Sequence, residues 1–255
     1  SSLCEMTFPI DTINEKCKSI CRLSSTLDQE DQKEFSKEQK YHVCGNGCMV
    51  FTGDNANKIN CEKCKEPRFN KCNICTNEPH CRCLLTKRIP KAELTYRPIN
   101  SLLQRLLQYQ KYQSYINWTD YRSDKTQFYS AENSQIYSKY LKEMNENKQE
   151  NQINVFLSLF YDGVKVTKTT SIHICCIKIM SLPPQLRDVF GIGSFIPFVL
   201  SEKFSPNGEI ERFLLNDCLF DEIKKLDHGI NVKVNEVNYF VKARLVHAVL
   251  DTKGL

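Results

Sequence analysis

The sequence predicts a chain of mixed α and β structure, of the α+β or α/β class, in which a cysteine-rich module precedes helices and strands. Eight of the fourteen cysteines lie between Cys44 and Cys83. Leucines at helical spacing follow Pro98, and continuous apolar runs typical of buried strands begin at Ile153. We therefore divide the chain into a polar N-terminal segment (1–43), a zinc-binding module (44–92), a basic and aromatic helical segment (93–151) and a sheet domain (152–255).

The cysteines of the module come in pairs at the spacing of metal-binding turns. Gly-Asn-Gly separates the first pair, and the second pair is a Cys-x-x-Cys motif. Two thiolates on one tight turn bind one metal ion, and a second pair completes a tetrahedron. Disulfides are the alternative, but we expect an intracellular chain without a signal peptide, in which such pairs favour zinc. The first zinc site is predicted at Cys44, Cys48, Cys61 and Cys64.

A second zinc site is expected further along the module, giving about two structural zinc ions per chain. Its ligand set is open, because His80 lies beside Cys81 and could replace either of the two late cysteines. A joint cluster with the first site is another alternative, since only seven residues separate Cys64 from Cys72. The candidate ligands of the second site are Cys72, Cys75, His80, Cys81 and Cys83.

The remaining cysteines carry no metal-binding pattern. Cys4, Cys17 and Cys21 have no obvious fourth ligand, so we expect them to be free thiols. Three later cysteines lie inside apolar runs and are expected to be small core residues, namely Cys175, Cys176 and Cys218.

Positive charge is concentrated in the cysteine-rich third of the chain. Residues 44–125 carry a net charge of +7, within a total of +5 for the whole chain. This distribution favours a polyanion such as DNA, with an ordinary solvated surface as the alternative. Aromatic residues interleaved with the basic ones can stack on bases, although their spacing of three also suits a packed helix face. The candidate DNA contacts are Lys87, Arg88, Lys91, Arg97, Arg105, Lys111, Arg122 and Lys125.

Two helices are predicted in the segment before the sheet. The first begins near Pro98 and places four leucines, at positions 102, 103, 106 and 107, on one face. The second runs near Ala131–Asn147, with Ile136, Tyr140 and Met144 on one side. No apolar run is long enough to cross a bilayer, and we expect neither a membrane partner nor a small-molecule substrate.

The sheet domain is predicted to contain three strands, a helix and a further strand. An amphipathic helix is expected over Glu209–Leu226, ending near Gly229. The predicted strands are Ile153–Phe160, Ser171–Met180, Phe195–Leu200 and, after the segment Ile230–Val237, Phe240–Leu250.

An acidic residue follows the first of these strands and another follows the last. Asp162 comes after Phe160 and before Gly163, and Asp251 comes directly after Leu250. If the two strands are parallel neighbours, the carboxylates meet at one edge of the sheet. Two carboxylates there can hold divalent metal ions that act on a phosphodiester. The alternatives are that Asp162 is a turn residue and Asp251 a loop residue.

Five short motifs occur in an order that resembles the CACTA-type (En/Spm) DNA transposases, from about Cys44 to the C-terminus. No single motif is specific, but their order is. The motifs are Cys44-Gly-Asn-Gly-Cys48-Met-Val-Phe with Cys61-Glu-Lys-Cys64, then Pro98-Ile-Asn-Ser-Leu-Leu-Gln-Arg-Leu, then Phe160-Tyr161-Asp162-Gly163-Val, then Ser181-Leu-Pro-Pro-Gln-Leu-Arg, and finally Val241-Lys-Ala-Arg-Leu with Leu250-Asp251.

This resemblance implies a partial ribonuclease-H-like mixed sheet and a DNA transposase, or a portion of one, that cleaves DNA and transfers strands. Asp162 and Asp251 would be the first two members of an acidic triad that binds Mg²⁺ or Mn²⁺, and the third acid would lie beyond Leu255. Nuclear localisation and self-association are further expectations. A domesticated, catalytically silent relative that binds DNA or protein is the alternative, and a purely structural zinc module is a third hypothesis.

Overall fold

The computed structural model describes residues 38–70, 89–108, 135–168, 171–182, 184–189, 193–204, 208–234 and 236–250. All of these residues belong to one compact unit. The chain combines helices with a mixed sheet, as expected for the predicted α+β class.

Two short strands bracket the cysteine-rich module. Strand β1 (Gln39–Val43) pairs antiparallel with β2 (Ala92–Tyr96), so the chain enters and leaves the module at the same place. Between them lies a short 3-10 helix, Gly53–Asn55. Among the described residues of the module, the buried side chains around the cysteines form a small cluster, so apolar burial there gives little stability. The cluster consists of Cys44, Met49, Phe51 and Cys61.

Both predicted helices are present in the described segments. Helix α1 (Ile99–Gln108) begins directly after Pro98 and buries the four predicted leucines. Helix α2 (Gln135–Asn145) packs Tyr137 and Met144 against Phe156 of the sheet, with the Tyr137 and Phe156 ring centroids 4.0 Å apart. Of the residues predicted to share one side of this helix, Met144 is buried and Ile136 is 61% exposed, while its neighbour Tyr137 is buried.

Five strands form the central sheet in the order β5-β4-β3-β7-β6. Strands β3, β4 and β5 are an antiparallel meander, β7 is parallel to β3, and β6 pairs antiparallel with β7. The first and last strands are therefore parallel neighbours, which is the condition for their following acids to meet at one edge of the sheet. A short helix α3 (Pro184–Arg187) connects β4 to β5. The strand bounds are β3 (Gln152–Lys165), β4 (Ser171–Ile179), β5 (Ser194–Ser201), β6 (Ile230–Val234) and β7 (Val237–Leu250).

Strand β3 is longer than the sequence indicated. We expected it to end at Phe160, with Gly163 as a turn residue, but it continues to Lys165. The reason is long-range pairing, since Asp162 lies opposite Ile174 and Gly163 opposite His173 in the antiparallel ladder with β4. Asp162 is thus a strand residue.

One continuous helical stretch, residues 209–228, precedes the last two strands. It comprises α4 (Glu209–Arg212), a π-helix (Phe213–Phe220) and α5 (Asp221–His228). It ends as predicted at Gly229, whose φ of 101° favours glycine, and a Cβ there would lie 2.2 Å from the Phe240 ring. Within the described part of the chain, no helix has the length and apolar character needed to cross a membrane.

Candidate metal centre and sheet-edge acid

The first cysteine pair lies on a tight turn that closes the end of β1. Val43 and Val50 form an antiparallel bridge, and the Cys44 amide donates to the Met49 carbonyl at 3.0 Å. Inside the turn, the Gly47 amide donates to the Cys44 carbonyl at 2.9 Å. Gly47 has a φ of 71°, in the left-handed region, which explains the Gly-Asn-Gly spacer. The turn brings Cys44 and Cys48 to one side.

The second cysteine pair lies on a similar turn. Asn60 and Pro67 form its antiparallel bridge, and the Cys61 amide donates to the Glu66 carbonyl at 2.8 Å. The Lys65 amide donates back to the Cys61 carbonyl at 2.9 Å, with Lys65 in the left-handed region at a φ of 61°. Two such turns facing each other are the arrangement that a four-cysteine metal site requires.

The four sulfur atoms of these turns converge. Their Sγ atoms all lie within 4.8 Å of one another, and those of Cys44 and Cys64 are 3.4 Å apart. In a tetrahedral zinc site with Zn–S bonds of about 2.3 Å, the sulfurs are about 3.8 Å apart. All four cysteines are free thiols, so the disulfide alternative does not hold for these residues. The predicted set Cys44, Cys48, Cys61 and Cys64 could therefore hold one zinc ion.

Hydrogen bonds lower the pKa of one thiol of the second turn, whereas burial raises the pKa of both thiols of the first turn. The backbone amide of Glu66 and the side chain of Asn46 lower the pKa of Cys64 to about 6. Burial raises the pKa of Cys48 to about 12 and also raises the pKa of Cys44. In the metal-free protein Cys64 is consequently a thiolate at neutral pH, which gives the site one ready metal ligand.

Asn46 links the two turns, a role that no sequence motif indicates directly. Its backbone amide lies 3.4 Å from the Cys44 sulfur, and its side-chain Nδ2 lies 3.5 Å from the Cys64 sulfur. N–H donors next to thiolates orient ligands and stabilise their charge. The only sequence hint was the Asn-Gly dipeptide of a turn between two cysteines.

Arg68 holds the loop between the two turns. Its Nε donates to His42 Nδ1 at 3.0 Å and its guanidinium donates to the Ala56 carbonyl at 2.5 Å. The same guanidinium lies 4.9 Å from the Phe51 ring centroid and 5.1 Å from that of Phe69. The cation thus connects β1, the loop and the second turn, where the module has little apolar core.

The predicted second zinc site cannot be compared with the structure. Its candidate ligands, Cys72, Cys75, His80, Cys81 and Cys83, all lie outside the described residues. Among the three core cysteines predicted, Cys175 and Cys218 are buried and Cys176 is half-buried.

Only three of the candidate DNA contacts lie in the described residues. Lys91 forms an ion pair with Glu66, and Arg97 forms one with Glu38 at 2.8 Å. Arg105 is half-buried in the last turn of α1. The remaining candidates, Lys87, Arg88, Lys111, Arg122 and Lys125, lie outside the described residues.

Asp162 is exposed on one face of the sheet. Because side chains alternate along a strand, it shares this face with Phe160 and Ser158. Ser158 Oγ lies 3.1 Å from Nδ1 of His247, the residue opposite it on β7. No described cation forms a salt bridge with the Asp162 carboxylate, whereas Lys178 lies 5.2 Å from the Phe160 ring centroid and pairs with Asp188.

In the parallel pairing of β3 with β7, the residues that precede the two acids lie opposite each other. The last described pair in the register is Tyr161 with Leu250, and these residues directly precede Asp162 and Asp251. Asp251 itself lies outside the described residues.

Comparison of the chain with protein-family models, with curated proteins and with solved structures found no match.

Proposed function

We propose that this chain is a DNA transposase, or a portion of one, with a zinc-stabilised module beside a ribonuclease-H-like sheet. The observation that carries the proposal is the parallel register of β3 and β7, whose last described pair is Tyr161 and Leu250. Each of these residues is followed by an aspartate. If the register continued by one residue, Asp162 and Asp251 would occupy adjacent positions of two neighbouring strands.

The sheet supports the same proposal through its strand order. A three-stranded antiparallel meander is followed by a helix and by a return strand, β7, that is parallel to the first strand of the meander. This order agrees with the ribonuclease-H-like architecture that the motif resemblance implies. Strand β6 is additional to this order of strands and helix. It forms a hairpin with β7 at the edge of the sheet.

The chemistry of Asp162 suits a hard divalent cation. Its carboxylate is exposed and forms no salt bridge with a described cation, so its oxygens are accessible to Mg²⁺ or Mn²⁺. Bound between Asp162 and Asp251, such ions would activate the attacking oxygen and stabilise the leaving oxygen of a phosphodiester. Two adjacent carboxylates repel each other, and a cation bound between them would offset this repulsion.

In this proposal the zinc module has a structural role. Zinc at Cys44, Cys48, Cys61 and Cys64 would hold the two turns together where the apolar cluster is small. The ion pair of Lys63 with Glu209 joins the module to α4, and the edge-to-face contact between Tyr41 and Phe213, at 4.9 Å, joins the adjoining strand β1 to the π-helix. A second zinc among residues 72–83 belongs to the same proposal.

The experiment that tests the function is metal-dependent DNA nicking by protein from the complete reading frame. Asp162→Asn should lower Mg²⁺-dependent nicking by more than about tenfold, because a lost metal ligand costs at least as much as a lost supporting residue. DNA affinity should change little, since the substitution removes a negative charge and leaves the cationic surface intact.

Asp217→Asn is the matched control, because Asp217 is another exposed aspartate on the described surface, located in the π-helix. It should nick DNA at the wild-type rate. If Asp162→Asn and Asp217→Asn nick equally well, the catalytic role of Asp162 is wrong.

A catalytically silent, zinc-dependent DNA- or protein-binding module is the second candidate function. The observation that favours it is that the four cysteines form the only group of three or more metal-binding side chains found among the described residues. Under this alternative the complete protein binds its partner with zinc and shows no metal-dependent nicking, and Asp162→Asn has no effect.

A further inference from the structure

A row of polar side chains crosses the sheet face that carries Asp162. Lys178 of β4 and His247 of β7 both lie opposite Ser158 of β3 in the strand register. Ser158 is buried, and its Oγ lies 3.1 Å from Nδ1 of the exposed His247 side chain. The serine therefore fixes the orientation of the imidazole and leaves Nε2 as the ring nitrogen available to a ligand.

The half-buried Phe160 lies between this polar row and Asp162 along β3. The Lys178 ammonium is 5.2 Å from the Phe160 ring centroid, and the His247 ring centroid is 6.1 Å from it. Val249, the neighbour of Phe160 on β7, is 45% exposed. An aromatic ring next to basic side chains is the combination with which proteins bind unpaired nucleotides, the base against the ring and the phosphates against the basic groups.

The Lys178 ammonium is held by a partner that a ligand can replace. It pairs with Asp188, whose side chain is 75% exposed. Exposed ion pairs contribute little to stability, so a phosphate can take the place of this carboxylate. The stem of a lysine is flexible, which allows the ammonium to move from the Phe160 ring to a phosphate while a base takes its place on the ring.

We propose that Phe160, Lys178 and His247 bind one unpaired nucleotide of the DNA strand that reaches Asp162. The base lies on the Phe160 ring, and the adjacent phosphates contact the Lys178 ammonium and His247 Nε2. Phe160 precedes Asp162 by two strand residues, or about 6.6 Å, so this nucleotide lies next to the acid. A base stacked in a duplex cannot lie on the ring, so the strand is single or locally unpaired there. This inference rests on the proposed function and specifies the form of DNA that its site accepts.

The test is the binding of labelled oligonucleotides to the 255-residue chain, measured by fluorescence anisotropy. The probes are single-stranded DNA of mixed sequence, a duplex of the same sequence and an abasic strand of the same length. Phe160→Leu should weaken binding of the single strand at least about fivefold, because one base loses its aromatic partner. Binding of the duplex and of the abasic strand should not change, since neither offers a free base.

Two further variants test the phosphate contacts of the same site. His247→Ala alters an exposed side chain, so the fold is retained, and it should weaken binding of both the single strand and the abasic strand at least about threefold. Asp188→Asn frees the Lys178 ammonium and should strengthen binding of both. Asp217→Asn removes an exposed negative charge elsewhere and should strengthen it less.

Phe204→Leu is the matched control for Phe160→Leu. Phe204 is also half-buried, with the Lys203 ammonium 5.9 Å from its ring centroid, but it lies in the 3-10 helix Glu202–Phe204 after β5. It should bind all three probes like the wild type. Equal losses in the two leucine variants, unchanged single-strand binding in Phe160→Leu, an equal loss of the abasic strand in Phe160→Leu, or absence of single-strand binding by the wild type would each overturn the inference.

Failure of this inference is distinguishable from failure of the proposed function. If Phe160→Leu binds single strands normally while Asp162→Asn abolishes nicking, only the nucleotide site is wrong. If Phe160→Leu loses affinity for single strands and Asp162→Asn nicks normally, the nucleotide site is correct and the catalytic role of Asp162 is wrong.

Discussion

At the scale of single residues, Asn46 explains how two separate turns become one candidate metal centre. Its amide groups approach sulfurs of both turns, those of Cys44 and Cys64. The cysteine spacing alone identified the four candidate ligands, because thiolate pairs on tight turns leave a regular pattern. The same spacing could not identify Asn46 or Arg68, since their roles depend on contacts across the folded module.

The low pKa of Cys64 gives a prediction for the metal-free protein. A thiol alkylates as its thiolate, so the rate at Cys64 should increase as the pH rises through about 6 and then level off. Cys48, with a pKa of about 12, should react slowly throughout this range. Mass spectrometry of protein alkylated at a series of pH values, after removal of metal, measures both rates.

Asn46→Ala should move the reactivity midpoint of Cys64 upward, because one N–H donor to its sulfur is removed. The Glu66 amide remains and keeps the midpoint below that of an ordinary thiol. A Cys64 midpoint near the ordinary value of about 8.5 in the wild-type protein would contradict this account of the site.

At the scale of elements, a carboxylate distant in sequence caps the first helix. Glu222 of α5 accepts hydrogen bonds from the Ile99 amide at 3.0 Å and the Asn100 amide at 2.8 Å, at the N-terminus of α1. It also accepts one from the Tyr96 hydroxyl at 2.7 Å. Burial and the nearby Glu222 carboxylate raise the pKa of Tyr96, so the phenol stays protonated and remains a donor.

Glu222→Ala should therefore lower the free energy of unfolding by about 2 kcal/mol, because it leaves two helix amides and a buried phenol without their acceptor. Glu222→Gln should cost less, since an acceptor oxygen remains. Urea denaturation of these variants, with the exposed Glu146→Ala as control, measures the difference. A loss for Glu222→Ala no larger than for the control would show that the cap adds no stability.

The same elements show what sequence patterns could and could not predict. Leucine spacing located α1, and apolar runs located the strands, because burial leaves a periodic signal. The spacing could not decide between Ile136 and Tyr137 on α2, since both are apolar neighbours and the choice depends on the facing Phe156. Asp162-Gly163 resembled a turn, whereas pairing with β4 continues the strand.

At the scale of the whole molecule, the cysteine module and the sheet differ in what stabilises them. The sheet buries extensive apolar surface around β3, including Phe156, Leu157 and Leu159. Among its described residues the module has a four-residue buried cluster, two of whose members are the candidate ligands Cys44 and Cys61. A structural metal commonly replaces an apolar core in small modules.

Zinc removal should consequently unfold the module and leave the sheet folded. Structural zinc in small peptides contributes on the order of 10 kcal/mol of apparent folding free energy, more than this cluster can replace. Hydrogen exchange with and without a chelator should show reduced protection in residues 43–68 and retained protection in β3 and β7. Cys61→Ser should reproduce the effect of chelation, whereas Cys176→Ser should not. Equal protection of residues 43–68 with and without the chelator would contradict a structural role for zinc.

The most direct test of the proposed function is anomalous diffraction from crystals of the chain grown with Mn²⁺. The proposal predicts a manganese peak within about 2.3 Å of carboxylate oxygens from both Asp162 and Asp251, distinct from a zinc peak among Cys44, Cys48, Cys61 and Cys64. Asp162 and Asp251 at separate places, with no manganese peak at either carboxylate, would contradict it.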